Sequence, residues 1–347
     1  HETWRRKLDN GRGPNPDIAP DWWLYDINGE KIETWPGTLN VNISDHVKPD
    51  ANGDDWVSYR VKFDYQRWFS DPVWDIWYSD VVRAAPLHNS GNFGRFTGGS
   101  GSWSDEKAAW RRGHRQHWDN MYDIRPGTMG LDNFDWFKHG RGDLGIFEQQ
   151  VNGGVYESAI TATRLPKGGH RWEITYEEYR TALSFLAKPE VLLFHVKGGR
   201  QDWQFFRYSF ATSLMADGFF KYSPSKEEGP IFGTVEWFDE FDRAGRDNTS
   251  WLGRATSGPP ESAWQNGVYR RDFENRQALV NPHRNGAKTV RIEPRFRRIM
   301  GVQDPAVNTG QPAGEIRLLD GDGIILVRED RETKLADPEP PTLRLGN

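Results

Sequence analysis

Several kinds of residue and motif are missing from this sequence, and each absence excludes a class of site. None of the 347 residues is cysteine, which excludes disulfides, thiolate metal sites and a cysteine nucleophile. No run of about 18 apolar residues exists, so we expect no membrane span. There is no Gly-x-Ser-x-Gly motif and no glycine-rich phosphate loop between a strand and a helix. We therefore expect no cofactor.

Charge is not concentrated in one segment, whereas aromatic residues are abundant. The 45 basic residues are spread along the chain, and the net charge is -5, so we expect no nucleic-acid partner. The sequence contains 17 Trp, 11 Tyr and 19 Phe. Such rings fill protein cores, and they also stack on the apolar faces of sugar rings. We expect most of them in the core and a few at a ligand.

Two stretches read as short apolar strands that end in an acid. Residues 73–83 present Asp80, and residues 152–160 enter through a Gly-Gly turn and present Glu157. Because helical segments separate them, we predict parallel strands that point both carboxylates into one crevice. The hypothesis is that Asp80 and Glu157 form the acid pair of a glycoside hydrolase. Alternatively, either acid caps a helix or pairs with an arginine.

The order of elements predicts an α/β fold. Six predicted strands, near residues 40, 76, 130, 155, 193 and 220, alternate mostly with helices. A TIM-like (β/α)8 barrel needs eight strands, so either its first two βα units precede His1 or the sheet is open. The chain starts without Met, and we expect a processed or trimmed N-terminus.

The predicted pattern of secondary structure changes after about residue 260. Short strands alternate there with Asn-Pro, Asn-Gly and Gly-Asp-Gly turns, which predicts a small antiparallel β-sandwich. The predicted domains are a barrel over residues 1–255, a sandwich over 256–337 and a tail over 338–347. Residues 320–323 resemble a calcium loop but lack its Glu at position twelve, so we predict a hairpin turn.

Strand residues close to the two acids are candidates for substrate binding. Tyr78 and Tyr156 adjoin the acid pair, and Asp132 ends the strand near residue 130, where it could bind sugar hydroxyls or act as a reserve acid. His195 and Lys197 lie near the end of an apolar strand. The alternative for His195 is a core histidine with satisfied hydrogen bonds.

A second acidic segment competes for the same function. Trp237, Asp239 and Glu240 lie in an aromatic-rich stretch that we interpret as a substrate-binding loop, with Glu240 as the alternative acid. An ordinary solvated loop is the other interpretation. His114 and His117 lie three apart on a predicted helix, but no third ligand accompanies them, so we expect no metal site.

The order of several motifs resembles a known family. These motifs are WWLYDINGEKI, VWDIWYSDV, GGVYESA, DGFFKYSP, EWFDEFD and GVYRRDFENRQALVNP. Together they resemble the hypothetical glycosyl-hydrolase-like families of bacterial genomes, closest to the fifteenth of that series, over roughly the whole chain. The resemblance implies a secreted or cell-surface protein with a TIM barrel followed by a β-sandwich.

The resemblance also implies roles for the two acids and a partner. Asp80 would end the fourth barrel strand as the nucleophile, and Glu157 would end the sixth as the acid/base of a retaining enzyme. The partner would be an oligo- or polysaccharide. A second chain or an upstream segment would complete the barrel. The alternative function is a non-catalytic carbohydrate-binding or extracellular assembly protein on the same scaffold.

Overall fold

The computed structural model of the chain divides into two compact units. The first comprises His1–Glu157 and Thr181–Leu193, and the second comprises Ser158–Arg180 and Phe194–Asn347. The structure describes residues 3–5, 18–26, 28–32, 38–82, 85–86, 102–134, 149–161, 171–224, 237–241 and 251–329. The predicted tail lies outside the described residues, and the domain boundary at residue 255 stays a prediction.

The first unit opens with a small antiparallel sheet. Strands β1 (Thr3–Arg5) and β2 (Thr38–Asn40) pair with each other, with Trp4 opposite Leu39. The strand predicted near residue 40 was therefore wrongly counted with the parallel strands. Its apolar residues instead join a tryptophan-rich core that also includes Trp22, Trp23 and Trp56.

Two helices of the first unit lie in the chain on either side of the first strand of the site. Helix α1 (Trp56–Asp64) begins after Asp55, whose carboxylate accepts a hydrogen bond from the Ser58 amide at 2.7 Å, and it continues into a π-helical turn (Tyr65–Phe69). Helix α2 (Trp103–Ile124) buries a stripe that includes Trp110, Trp118 and Met121. Such a stripe is expected of a helix that covers a sheet.

A parallel sheet is the main element of the α/β part. Its strands are β3 (Ile76–Val82), β4 (Met129–Phe134), β5 (Gly153–Glu157), β6 (Val191–Gly198) and β7 (Phe219–Pro224). They are ordered β3-β4-β5-β6-β7, and β3 pairs in parallel with β4, as β4 does with β5. Among the described residues, all six predicted strands are strands, and five of them belong to this sheet.

The second unit contains helix α4 (Trp203–Ser213) and most of helix α3 (Trp172–Phe185). On β6 the residues alternate between buried and partly exposed, and Phe194 packs against Tyr179 of α3 with ring centroids 5.0 Å apart. Helix α4 is buried along most of its length and packs against the sheets that follow it. Strand β6 and helix α4 therefore carry the apolar residues that are expected of elements with buried faces.

Six short strands form the end of the described chain. They are β8 (Tyr269–Asp272), β9 (Arg276–Asn281), β10 (Lys288–Arg291), β11 (Phe296–Arg298), β12 (Glu315–Leu318) and β13 (Asp322–Arg328). They make a four-stranded sheet, β11-β13-β9-β8, and a two-stranded sheet, β10-β12, whose pairs are antiparallel.

The two antiparallel sheets share one hydrophobic core. Leu279 and Leu326 of the larger sheet lie in the same cluster as Val290 and Ile316 of the smaller sheet. Residues 320–323 connect β12 to β13, which belong to different sheets. The predicted hairpin is therefore wrong, because the turn carries the chain from one sheet to the other.

Candidate active site

Strand β3 contains an irregularity at the predicted nucleophile. Ser79 pairs with Asp132 and Val82 pairs with Phe134, so β3 has two residues, Asp80 and Val81, where β4 has one. This is a β-bulge, which changes the direction of a side chain and often lies beside an active site. Asp80 therefore lies in the bulge, where the strand departs from regular pairing, and its side chain is partly exposed.

Strand alternation assigns the residues of β3, β4 and β5 to the two faces of the sheet. Ser79, Asp132 and Gly154 are register partners, so they share a face, and Tyr156, two residues after Gly154, shares it too. Residues one position further along point to the opposite face. These are Asp80, Asn133 and Glu157, one from the end of each of three neighbouring strands.

The side chain of Asn133 joins the two acids. Its Nδ2 donates to Oδ1 of Asp80 at 2.9 Å and to Oε2 of Glu157 at 3.4 Å. These two carboxylate oxygens therefore lie at most about 6.3 Å apart, which is the sum of the two distances. The two acids that the sequence singled out are thus brought together at one edge of the sheet.

Tyr78 is the aromatic neighbour of this pair. Its hydroxyl lies 3.5 Å from Oδ1 of Asp80, and the residue is 44% exposed. Burial of the hydroxyl raises the pKa of Tyr78, and the negative charges of Asp80 and Glu157 raise it further. The phenol therefore stays protonated and serves as a hydrogen-bond donor beside the carboxylates.

The opposite face of the sheet is covered by helix α2. Trp77 is buried there against His117 with ring centroids 6.0 Å apart, and Oγ of Ser79 lies 3.3 Å from Nε2 of His117. Burial lowers the pKa of His117 to about 3, with smaller electrostatic contributions from the neighbouring Arg60 and His114. The imidazole is consequently neutral at physiological pH and acts as a core hydrogen-bonding group.

Two candidates for substrate binding lie on this covered face. Tyr156 and Asp132 are fully buried, and Oδ2 of Asp132 accepts a hydrogen bond from Trp118 at 3.2 Å. Asp132 also lines a cavity of about 30 Å³ behind β3, with His114 and His117 among the other lining residues. Such a space holds about one or two water molecules. Asp80 lines this cavity too, so it borders the covered face and also contacts Asn133, which contacts Glu157.

His195 and Lys197 belong to the second unit. Both occupy the partly exposed positions of β6, and Nε2 of His195 lies 3.0 Å from Oγ of Ser223 on β7. The ring thus has a hydrogen-bond partner within its own sheet. The residue is partly exposed, so substrate binding and a core histidine both stay predictions.

The acidic segment near residue 240 also lies in the second unit. Oδ2 of Asp239 accepts hydrogen bonds from the amides of Val302 and Gln303, both at 2.8 Å. Glu240 is 4% exposed and accepts a hydrogen bond from Asn308 at 3.0 Å. Burial raises the pKa of Glu240, and the Asn308 hydrogen bond offsets part of the rise. Trp237 next to them is 58% exposed.

Sequence reasoning missed Asn133 and the Ser79–His117 contact. Asn133 follows Asp132 directly, and the strand prediction included it without giving it a role. The available signal was alternation, because the residue after a buried strand position faces the other side. His117 was considered only as half of a metal pair. Within the described part of the chain, no three His, Cys, Asp or Glu side chains are grouped so as to hold a metal ion.

Comparisons with known proteins give only distant likenesses. No family model matches the chain, and no curated protein matches it. An α-galactosidase of glycoside hydrolase family 36 from Geobacillus stearothermophilus aligns with 94% of this chain, at a TM-score of 0.42 and 11% identity. The chain spans 44% of that enzyme.

Two α-amylases are similarly remote. The enzyme from Lactobacillus plantarum has a TM-score of 0.44 and 10% identity over 88% of this chain and 72% of its own. The Geobacillus thermoleovorans enzyme has a TM-score of 0.43 and 8% identity, with 88% and 71% covered. Scores and identities this low establish neither a family nor an activity.

In the described ranges, no helix is long and apolar enough to cross a membrane.

Proposed function

We propose that the protein is a glycoside hydrolase with Asp80 as nucleophile and Glu157 as acid/base. The observation that carries the proposal is the pair of hydrogen bonds from Asn133 to both carboxylates. Glycosidic cleavage needs two carboxyl groups on either side of one bond. Two acids from different strands, on one face and joined by one carboxamide, meet that requirement.

The separation of the acids favours the retaining mechanism. Retaining enzymes hold their carboxyl groups roughly 5 to 5.5 Å apart, and inverting enzymes hold them roughly 6.5 to 9.5 Å apart. Oδ1 of Asp80 and Oε2 of Glu157 lie at most about 6.3 Å apart and share one donor, and this close approach supports the retaining assignment. In this mechanism Asp80 attacks the anomeric carbon while Glu157 protonates the departing oxygen. Glu157 then deprotonates the water that releases the sugar.

Tyr78 gives this site a surface for a sugar. The ring projects on the face of Asp80 and is 44% exposed, so it can stack on the apolar face of a pyranose. Its protonated hydroxyl donates toward Asp80. A carbohydrate substrate is therefore the ligand class that we assign to this face.

We further propose that the five parallel strands are part of a (β/α)8 barrel. If Asp80 ends the fourth barrel strand, β3 to β7 are strands four to eight, and Glu157 ends the sixth. Strand β2 pairs with β1 instead, so the described residues supply five of the eight barrel strands. The three further strands would pair at edge strand β3, and a second chain is one source of them. Native mass of the purified protein tests whether a second chain is present.

Glycan cleavage is the direct test of the proposal. The chain is incubated with a panel of polysaccharides, oligosaccharides and aryl glycosides, and new reducing ends are measured. We expect cleavage of at least one glycan, with retention of anomeric configuration in the first product seen by NMR. Inverted product would overturn the nucleophile assignment. Binding without cleavage across the panel would instead favour the carbohydrate-binding or assembly protein.

A further inference from the structure

We propose that the cavity behind β3 is a water-binding site that holds the carboxylate of Asp80 from the covered side of the sheet. The bound water is argued from the cavity itself, and its consequence for catalysis rests on the function proposed above. The cavity has a volume of about 30 Å³, and Asp80 lines it together with Ser79 and Asp132. A water molecule needs at least about 10 to 15 Å³, so one or two fit.

The lining of the cavity is polar on several sides, which distinguishes it from a dry packing defect. Besides Asp80, its charged and titratable groups are Arg60 of α1, His114 and His117 of α2, and Asp132 of β4. Cavities that stay empty in proteins are lined by apolar side chains, whereas a polar cavity with room for water holds it when two to four hydrogen-bonding groups face it. The size and the lining of this cavity meet both conditions.

The donors and acceptors of the lining suit water better than a metal ion. The carboxylates of Asp80 and Asp132 only accept hydrogen bonds when ionised, and water donates two. Arg60, whose Nε donates to Asp64, carries only donors, and water also accepts. The guanidinium repels a cation, and among the described residues no three His, Cys, Asp or Glu side chains are grouped to hold one. We therefore assign water as the ligand.

Asp80 is the residue that such a water affects most, because it lies at the β-bulge. One extra residue in β3 disrupts the regular pairing with β4 there, so the strand ladder fixes this part of the backbone less firmly. On the open face Oδ1 of Asp80 contacts Asn133 and the hydroxyl of Tyr78. A water in the cavity adds a contact from the other side. The carboxylate is then held between two sets of hydrogen bonds, as a nucleophile oriented for attack requires.

Matched variants separate the cavity from the helix that borders it. Val57→Ile adds one methylene to a buried residue of α1 that lines the cavity, which removes space for water. Val61→Ile makes the same change one helical turn later, at a buried residue outside the lining. Val82→Ile fills the cavity from β3 and serves if Val57→Ile does not fold. None of these variants removes a direct hydrogen bond from Asp80.

High-resolution crystal structures of the wild type and the variants give the first test, and it does not depend on catalysis. We expect one or two ordered waters in the wild-type cavity, at least one of them within hydrogen-bonding distance of the Asp80 carboxylate. That water should be absent in Val57→Ile and unchanged in Val61→Ile. A dry cavity in the wild type, a metal ion in its place, or a water that does not reach Asp80 would overturn the proposal.

Kinetics on a cleaved glycan give the second test. For Val57→Ile we expect kcat per folded molecule to fall by about tenfold with KM within about twofold of the wild type, because substrate still binds while the nucleophile is less well oriented. Val61→Ile should keep both values within about twofold. Equal kcat in the two variants would refute the positioning of Asp80 by water. Ordered water without any glycan cleavage would sink the hydrolase and leave the water site standing, whereas cleavage with a dry cavity would do the reverse.

Discussion

The molecule contains two groups of acids that look alike in sequence and differ in structure. Asp239 and Glu240 are neighbours in the chain and lie among aromatic residues, whereas Asp80 and Glu157 are far apart in the chain. The distant pair shares one carboxamide on one sheet face. The adjacent pair contacts separate partners, the amides of residues 302 and 303 for Asp239 and the side chain of Asn308 for Glu240.

This difference shows how to tell a structural acid from a candidate catalytic one. The oxygens of Asp239 and Glu240 accept hydrogen bonds that attach their segment to residues 302–308, and Glu240 is buried. Asp80 and Glu157 remain partly exposed and share a donor. Register between strands, rather than proximity along the chain, brings these two acids to one shared carboxamide.

The largest predicted effect is on catalysis at Asp80. Asp80→Asn removes the nucleophile, so we expect glycan cleavage to fall by about a thousandfold or more. Asp239→Asn is the matched control and should keep the wild-type rate per folded molecule to within about twofold. Initial rates of reducing-end formation, normalised to the folded fraction, measure both. A reversed pattern would move the active site to the segment near residue 240.

The next effect depends on the leaving group of the substrate. Glu157→Gln cannot protonate the departing oxygen, so we expect losses of about a hundredfold or more on sugar leaving groups and much smaller losses on acidic phenols. Glu240→Gln should show no such dependence. The comparison requires kcat/KM for a series of aryl glycosides with graded leaving groups. Equal slopes for the two variants would contradict the acid/base assignment.

A smaller effect is expected on stability at Asp239. Asp239→Ala leaves the amides of Val302 and Gln303 without their acceptor, so the free energy of unfolding should fall by about 1 to 3 kcal/mol. Asp80→Asn should cost little, because catalytic acids held close together are often a burden on stability. Urea unfolding followed by circular dichroism measures both variants. Greater destabilisation by Asp80→Asn would assign a structural role to that residue.

The smallest effect is a pH dependence from Glu240. Its pKa is raised in the folded protein, so the folded state holds the proton more tightly than the unfolded chain. Its contribution to stability is therefore complete below the unfolded value of about 4.3 and is lost as the pH rises through the folded value. Glu240→Gln keeps an acceptor for Asn308 and removes the ionisation.

Unfolding free energies of the wild type and Glu240→Gln at pH 4, 6 and 8 test this expectation. The variant should gain stability relative to the wild type as the pH rises. A difference that does not change with pH would mean that Asn308 and its surroundings compensate the buried charge in full.

Much of the fold followed from local pattern in the sequence. Strands such as β6 and helices such as α2 have strong apolar periodicity, and that periodicity reports which side of an element is buried. It does not report what lies against the buried side. For that reason the strand near residue 40 was recognised as a strand but given the wrong neighbours, and β11, which has only three residues, was missed.

The candidate site was predictable only in part, for a related reason. Asp80 and Glu157 stood out because each ends an apolar strand. The importance of Asn133 depends on the register of β4 against two other strands and on the bulge at Asp80, and neither is written in local sequence. The same register places Asp132 on the covered face. Neighbouring residues of a strand point to opposite faces of the sheet. Asp132 is therefore buried on the covered face, whereas Asn133 contacts the two acids on the other face.

Contacts at Gly130 would shape the outcome of a saturation-mutagenesis scan. A Cβ at this position would lie 2.7 Å from the ring of Trp118, and Trp118 also hydrogen-bonds Asp132 two residues along the strand. Helix α2 therefore fixes the position of β4, and with it Asn133. Almost any substitution at Gly130 or Trp118 should score as inactivating, although neither residue faces the proposed substrate. In such a scan, the residues that hold β4 in place would be as intolerant of substitution as the residues of the site itself.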